Sequence, residues 1–353
     1  MSEQIKQLRV PAGSDAKPAA STRRPRLGFL GVGWIGRNRL RAIADADVAD
    51  IVAVADPDTA LRTHTLALAP DAATCESLEA LLDLELDGVV IATPSALHAA
   101  QAEAALAKGI AVFCQKPLAR TAAEAQKVIA AARRSNRLLG VDLSYRHTSA
   151  MRGIRSAVRE GEIGDVYAID LVFHNAYGPD KAWFRDPKLS GGGCVIDLGT
   201  HLVDLALWTL GAWEVSDVAA QLFAGGRRLG PRPEVVEDHA IVQFNLHSGP
   251  DGFVAVRLAC SWNLSVGRDA VIEAHFHGTR GGLAMRNVGG SFLDFVAERF
   301  DGTRSTVLAA PPDDWGGRAA LEWVRRLASG EGFDPEVRSV GEVARVLDAV
   351  YGR

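Results

Sequence analysis

The 353-residue sequence predicts an α/β chain, with a helix-covered parallel sheet first and a region of mostly antiparallel strands after it. Three observations carry this. Over the first 145 residues, short apolar runs alternate with stretches rich in helix formers. Those runs are almost continuously apolar, as strands buried on both faces are. After about residue 145, strand-like runs follow one another across short connections, several holding Gly or Asn, as antiparallel neighbours do.

Residues 1–25, MSEQIKQLRVPAGSDAKPAASTRRP, are rich in Pro, Ala, Ser and charge and read as a flexible arm. The pair Arg23–Arg24 raises the question of a twin-arginine export signal. The run behind it, GFLGVGWIG, is soon interrupted by charges, so a first strand and turn is the expectation. Strands are then expected at 26–33, 50–56, 87–93, 110–115 and 138–144, with helical stretches such as WIGRNRLRAIADA and SALHAAQAEAALAKG between them. A helix at 151–161 and a strand at 166–178 open the second part. A glycine-rich loop and helix, SGGGCVIDLGTHLVDLALWTLG (190–211), precede strand-like runs from about 213 to 308. Helices at about 315–329 and 339–350 close the chain.

A formal net charge of −4 argues against nucleic-acid or anionic-membrane partners, which require a basic surface. No uninterrupted apolar run reaches the ~18 residues of a bilayer span. Cys75, Cys114, Cys194 and Cys260 are scattered without a CxxC pair, which fits buried thiols in a reducing cytoplasm.

Gly31-Val32-Gly33-Trp34-Ile35-Gly36 is a GxGxxG between a strand and a helix, and Asp56, at the end of the next strand, follows Gly36 by 20 residues. This is the dinucleotide fingerprint: the glycines permit a tight turn and close approach to pyrophosphate at a helix N-terminus, and the acid meets the ribose hydroxyls. Asp56 and Asp58 would repel a 2′-phosphate, so NAD is expected over NADP. Arg37, Arg39 and Arg41 read as a solvated helix face, although one of them could reach a phosphate. Thr93 and Pro94 end the next strand beside the crevice, and His98 follows on a helix, either partly exposed or touching cofactor.

Lys116 also ends a strand, within AVFCQKPLA, and the following proline narrows its backbone choices or forms a cis bond. A lysine there can donate to a substrate hydroxyl or carbonyl oxygen. In GGGCVIDLGTHLVD, a regular helix from about residue 194 would turn about 100° per residue. Asp197 and His201 would then differ by about 40°, with Asp204 about 20° to the other side, all on one face. That face reads as an acid/base pair, a metal site or a buried hydrogen-bonded helix face. Tyr145 follows the last strand of the first part and is either structural or substrate-binding. Asn175 ends a strand of the second part and is a candidate sugar-hydroxyl ligand. His275 and His277 alternate on one strand face, but no metal is expected there. Asp238 reads as ordering a strand start.

The ordered set GVGWIG, the aspartate after the second strand, ATPSALH, QKP, WFRDPKLSGGG and DLGTH resembles the glucose–fructose oxidoreductase / inositol dehydrogenase / rhizopine catabolism (Gfo/Idh/MocA) family. The resemblance covers nearly everything after the arm. It implies a Rossmann domain (26–145) and a substrate-binding and oligomerisation α+β domain (146–353) with a large, mostly antiparallel open sheet. It implies a sugar, glycoside or cyclic polyol oxidised or reduced through nicotinamide, with Lys116, Asp197 and His201 as the catalytic set and Trp183 and Arg185 bordering the pocket. Gln115 departs from the family's usual glutamate. It keeps a hydrogen bond for the cofactor ribose and removes a charge beside Lys116, so Lys116 is expected to give up its proton more readily. The resulting expectation is a cytoplasmic NAD-dependent dehydrogenase, a homodimer or homotetramer through the open sheet. Three alternatives are an enzyme that oxidises a sugar hydroxyl transiently on retained NAD, a ligand-sensing regulator on the same fold, and a metal-dependent hydrolase at Asp197, His201 and Asp204.

Overall fold

The computed structural model describes residues 24–211, 214–230, 233–247 and 252–353; the arm expected at 1–25 lies outside them up to residue 23. Arg24 and Pro25 already belong to the folded body, with Arg24 paired to Asp47 and Asp50.

The first sheet contains β1 (Arg26–Leu30), β2 (Asp50–Ala55), β3 (Ala73–Cys75), β4 (Gly88–Ile91), β5 (Ala111–Cys114) and β6 (Leu139–Val141). All its pairs are parallel, in the order β3-β2-β1-β4-β5-β6. The order reverses direction between β1 and β4, and a crevice opens there at the strand C-termini. The five expected strands are present. The edge strand β3 was not foreseen, because three residues with two exposed carry no apolar pattern. The helix Ala122–Ser135 shows how local chemistry sets the ends. The Thr121 hydroxyl accepts from the Glu124 N–H, and Asn136 closes the helix in the left-handed region at φ 49°.

The second sheet holds β7 (Val166–Asn175), β8 (Glu214–Ala224), β9 (Arg227–Arg228), β10 (His239–His247), β11 (Phe253–Ser261), β12 (Ala270–Gly278), β13 (Gly281–Asn287), β14 (Phe295–Asp301) and β15 (Arg304–Ala309). The order is β15-β14-β13-β12-β7-β11-β10-β8-β9, antiparallel except for β7 beside β11. One face is core. On β10 the side chains of Ala240, Val242, Phe244 and Leu246 are buried and the residues between them are not. The helices Ser149–Arg159, Thr200–Leu210 and Arg338–Tyr351 cover that face.

Two expectations change. Pro187–Leu210 is long and apolar enough for a bilayer span, but its apolar window is 83% buried in this core. The helix Arg318–Ala328 was assigned to the second domain, yet it packs on the first sheet, with Trp323 5.6 Å from the Phe113 ring and Ala320 and Val324 in the same core. Its apolar stripe predicts burial without saying against which sheet.

Candidate active site

The crevice at the sheet reversal is a cleft of about 1030 Å³ reaching both domains. Its floor is the glycine turn. Gly31 has φ +83°, and a Cβ there would lie 2.6 Å from the Ala92 oxygen; a Cβ on Gly36 would lie 2.0 Å from the Gly31 oxygen. Only glycine permits that close approach. The helix Trp34–Asp45 begins here without a side-chain cap, so its first N–H groups remain available to an anion. Gly33, Trp34 (70% exposed) and Ile35 line the mouth.

Asp56 lines the cleft beside the glycine turn. Its carboxylate accepts from the N–H groups of Val32 at 3.0 Å and Asp58 at 2.9 Å. Asp58 caps the next helix through Ala60 and Leu61. Arg62 turns inward to the Asp56 carbonyl and to Thr59 at 3.0 Å. The loop, its acid and a helix N-terminus free to meet pyrophosphate together fit a dinucleotide.

Thr93 and Pro94 line the cleft wall. His98 behind them is buried, with its nitrogens 2.7 Å from the Pro117 and Thr93 carbonyl oxygens. It bridges two strand ends and also belongs to the cleft lining, where the cofactor-contact alternative puts it; burial lowers its pKa. The partly exposed alternative is corrected, because His98 is buried. Its helix, Ser95–Ala107, packs on β5 with Ser95 and His98 turned inward and Leu97 outward.

Lys116 precedes a cis bond to Pro117. Its Nζ donates to the Asp197 carbonyl at 2.6 Å and to Asp197 Oδ1 at 2.7 Å. Trp262 Nε1 donates to Asp197 Oδ2 at 3.0 Å. Lysine and aspartate, 16% and 17% exposed, meet across the domain boundary at the inner end of the cleft. Trp183 lines the same end and stacks on Phe184 with centroids 3.8 Å apart; Phe184 meets Trp262 edge-on.

The regular helix expected from residue 194 is replaced by a π-turn at Val195–Gly199, with α-helix only from Thr200. The 100° count therefore fails. Asp204 is buried in a two-point pair with Arg146, whose Nε lies 2.7 Å from Oδ2. It is not a partner of Asp197, which leaves the hydrolase reading without its third ligand. Among the described residues no group of three His, Cys, Asp or Glu is placed for a metal. His201, 8% exposed, packs edge-on against Tyr145 at 4.8 Å, and its Nδ1 is buried without a partner. Burial, with Lys116 and Arg39 nearby, holds its pKa well below the usual value.

Other expectations shift as well. Gln115 lines the cleft, but its Nε2 donates to Asp142 Oδ2 at 2.9 Å and its Oε1 accepts from the Lys116 N–H at 3.0 Å. The Gln115 amide is thus already engaged, and the carboxylate on the Lys116 ammonium is that of Asp197. Arg39 is not a solvated face: it is buried against Asp142, Nε to Oδ2 2.6 Å. Tyr145 sits in the aromatic core with Phe173, Phe295 and Trp315. Asn175 has a buried Oδ1 without a donor. Arg185 packs over Gly178, where a Cβ would lie 2.7 Å from its Nη2. His201, Tyr145, Asn175 and Arg185 are all outside the lining of this cleft. His275 and His277 face Glu273, which the strand alternation already put on their side and the sequence reading overlooked, and Asp170, which it did not place there.

Sequence reasoning missed Trp262, Asp142 and Glu237. Asp142, a lone acid inside the apolar run LLGVDLS, was a visible signal. Glu237 was passed over for its neighbour Asp238, which accepts from the Gly225 N–H. The Glu237 carboxylate accepts from the N–H groups of Gly193 (3.0 Å) and Val195 (2.9 Å) and from the Tyr351 hydroxyl (2.7 Å). A Cβ on Gly193 would collide with the Glu237 carbonyl at 1.9 Å, so the glycine loop is shaped around this acid. Glu237→Gln keeps one acceptor and loses the other, and is expected to cost about 1–3 kcal/mol. Urea unfolding beside kcat/KM measures it; unchanged stability would show that the loop holds itself.

The pattern of the oxidoreductase family with NAD-binding Rossmann fold matches residues 26–143, and the GFO/IDH/MocA C-terminal domain matches residues 151–284. The rhizopine catabolism protein MocA of Rhizobium meliloti is 30% identical over 262 residues, 71% of this chain and 78% of that protein. A levoglucosan dehydrogenase solved with NADH superposes with TM-score 0.80 at 21% identity, covering 94% of this chain and 96% of that one. A 3-ketoreductase from Actinomadura kijaniata, solved with NADP and TDP-benzene, gives 0.79 at 21% identity, covering 94% and 98%.

Proposed function

The chain belongs to the Gfo/Idh/MocA family and is an NAD(P)-dependent oxidoreductase of the sugar and polyol class, and from that premise we propose an NAD-dependent dehydrogenase acting on a carbinol of a sugar, glycoside or cyclic polyol. The observation that carries this is the Lys116–Asp197 pair at the inner end of the nucleotide cleft. Bound NAD supplies the hydride acceptor. Gly31, Gly33, Trp34, Ile35, Gly36, Asp56, Thr93 and Pro94 would hold it, while Gln115 positions the Lys116 backbone from the cleft wall. Lys116 Nζ donates to the carbinol oxygen and steadies the charge that develops there. Asp197, itself held by the Trp262 N–H, keeps the ammonium in place. His201 lies near Lys116 but outside the cleft lining, so the hydroxyl proton reaches it by relay, Lys116 passing one proton to the imidazole and taking up the one the hydroxyl loses. Trp183 with Phe184 and Trp262 forms an apolar wall against water. NAD is favoured over NADP because Asp56 and Glu76 line the adenosine end, while the nearby Arg62 is buried and already engaged with the Asp56 carbonyl, Thr59 and Glu76.

The low pKa of His201 gives a signed pH prediction. The imidazole stays neutral, and able to accept a proton, to below the ordinary 6.5. The acid limb of kcat/KM is therefore expected below pH 6.5, and His201→Gln should remove it. An acid limb at or above 6.5 in the wild type would take His201 out of the base role.

The outer face of the second sheet exposes Ile241, Phe253 and Val307. A second copy covering it, giving a dimer or tetramer, is part of this reading, and a monomer by light scattering would remove it. The four buried free thiols support the cytoplasmic part of this reading. The deciding experiment is a screen of NAD reduction against inositols, aldopyranoses and simple glycosides. Steady NADH release with one class supports the proposal. NAD binding without turnover of any of them overturns it.

A further inference from the structure

A second cavity, of about 550 Å³, lies where the two domains meet and shares no lining residue with the catalytic cleft. Its wall carries five arginines, although the chain as a whole is acidic at −4. Three of them are matched by carboxylates: Arg146 by Asp204, Arg152 by Glu322 at 2.9 Å, and Arg326 by Asp334 at 2.6 Å. Arg155 and Arg159 have no hydrogen bond or ion pair among the described residues. The Arg155 guanidinium lies 4.2 Å from the Trp208 ring centroid, and Arg146 reaches the same ring at 5.9 Å.

Two buried donors in this wall lack acceptors. The Arg155 Nε is buried and unpartnered, and so is Nε1 of Trp323, a residue only 4% exposed. Burial and the neighbouring Arg159 charge lower the Arg155 pKa, while Glu336 acts in the opposite direction. The Glu336 carboxylate also lines this wall, but the buried atoms left unpartnered are both donors, so the complementary ligand brings acceptors and negative charge. The volume is that of a small-molecule site, and Leu143, Val340 and Trp208 offer apolar wall to a carbon skeleton.

We propose that this cavity binds a small organic oxyanion, bearing phosphate or clustered carboxylates, through Arg155, Arg159 and the Trp323 indole N–H. The site has a route to the reaction centre. Arg146 in its wall pairs with Asp204, on the helix that carries His201 one turn earlier. The proposal does not depend on which sugar or polyol is oxidised.

The test is calorimetric titration of the 353-residue chain, saturated with NAD and held at fixed ionic strength, with inorganic phosphate and separately with citrate. Saturable binding of either anion is expected, phosphate alone marking a phosphate ligand and citrate alone a carboxylate one. Arg155→Gln and Arg159→Gln should each weaken it roughly tenfold, the loss of one charge-assisted contact. Trp323→Phe should weaken it by a few-fold while keeping the packing. NAD affinity should be the same in all variants, which also reports that they are folded. Arg159 is exposed, so its variant carries the test should the Arg155 variant fail to fold. Absence of saturable binding, binding indifferent to these substitutions, or competition with NAD would overturn the proposal.

Discussion

Lys116→Ala is expected to lower kcat by roughly 10²–10⁴-fold, the range for loss of a positioned proton donor and charge stabiliser. The geometry requires a large effect. The Nζ lies 2.7 Å from Asp197 Oδ1 and 2.6 Å from its carbonyl, and both residues line the cleft. Without the ammonium, Asp197 keeps only the Trp262 N–H, and its carboxylate then faces an alkoxide of like charge. The glycine turn and Asp56 are untouched, so the NAD dissociation constant should stay within about threefold, separating chemistry from binding. Lys116→Arg keeps the charge but not the fit and should restore little. Single-turnover NADH formation and NAD titration by tryptophan fluorescence make the two measurements. Turnover near the wild-type rate would remove Lys116 from the reaction.

Gln115→Glu is the second large effect, and its expected cause is Asp142. That carboxylate is fully buried and accepts from Arg39 (2.6 Å), Gln115 (2.9 Å) and Ser144 (2.8 Å). Glutamate at 115 would bring a second carboxylate to where an amide now donates, with one guanidinium between them. One acid must then take up a proton or move away. A loss of about 1–3 kcal/mol in stability is expected. A fall in kcat/KM of roughly 10–100-fold should accompany it, because the same side chain holds the Lys116 backbone. Adding Asp142→Asn reverses the polarity of the pair and restores the charge count. The double variant should recover most of both losses. A double-mutant cycle with no coupling would mean that the Gln115–Asp142 contact is incidental.

The Gln115 result shows where sequence reading stops. From the residues, an uncharged side chain beside a catalytic lysine is a missing charge. In the fold it is a donor required by an acid 27 residues away, just past the end of the neighbouring strand. Asp197 and His201 show the same limit. Their separation of four was legible and pointed to the right segment, but a helical wheel presumes a regular helix. The π-turn rotates Asp197 toward Lys116, and Arg146 holds Asp204 elsewhere.

The sequence by itself determined the parallel first sheet, the glycine turn with its acid, and the strand-end position of Lys116. These are local: apolar runs declare burial, glycines declare close approach, and a proline declares a constrained backbone. Only the tertiary structure decided what those groups meet. It set Asp197 against Lys116 across the domain boundary, Glu237 under the glycine loop, Asp142 behind Gln115, and the helix Arg318–Ala328 on the first sheet. The physical reason is that a buried polar group must find its partner wherever the packed chain puts one, and its own sequence neighbourhood does not say which strand or helix that will be.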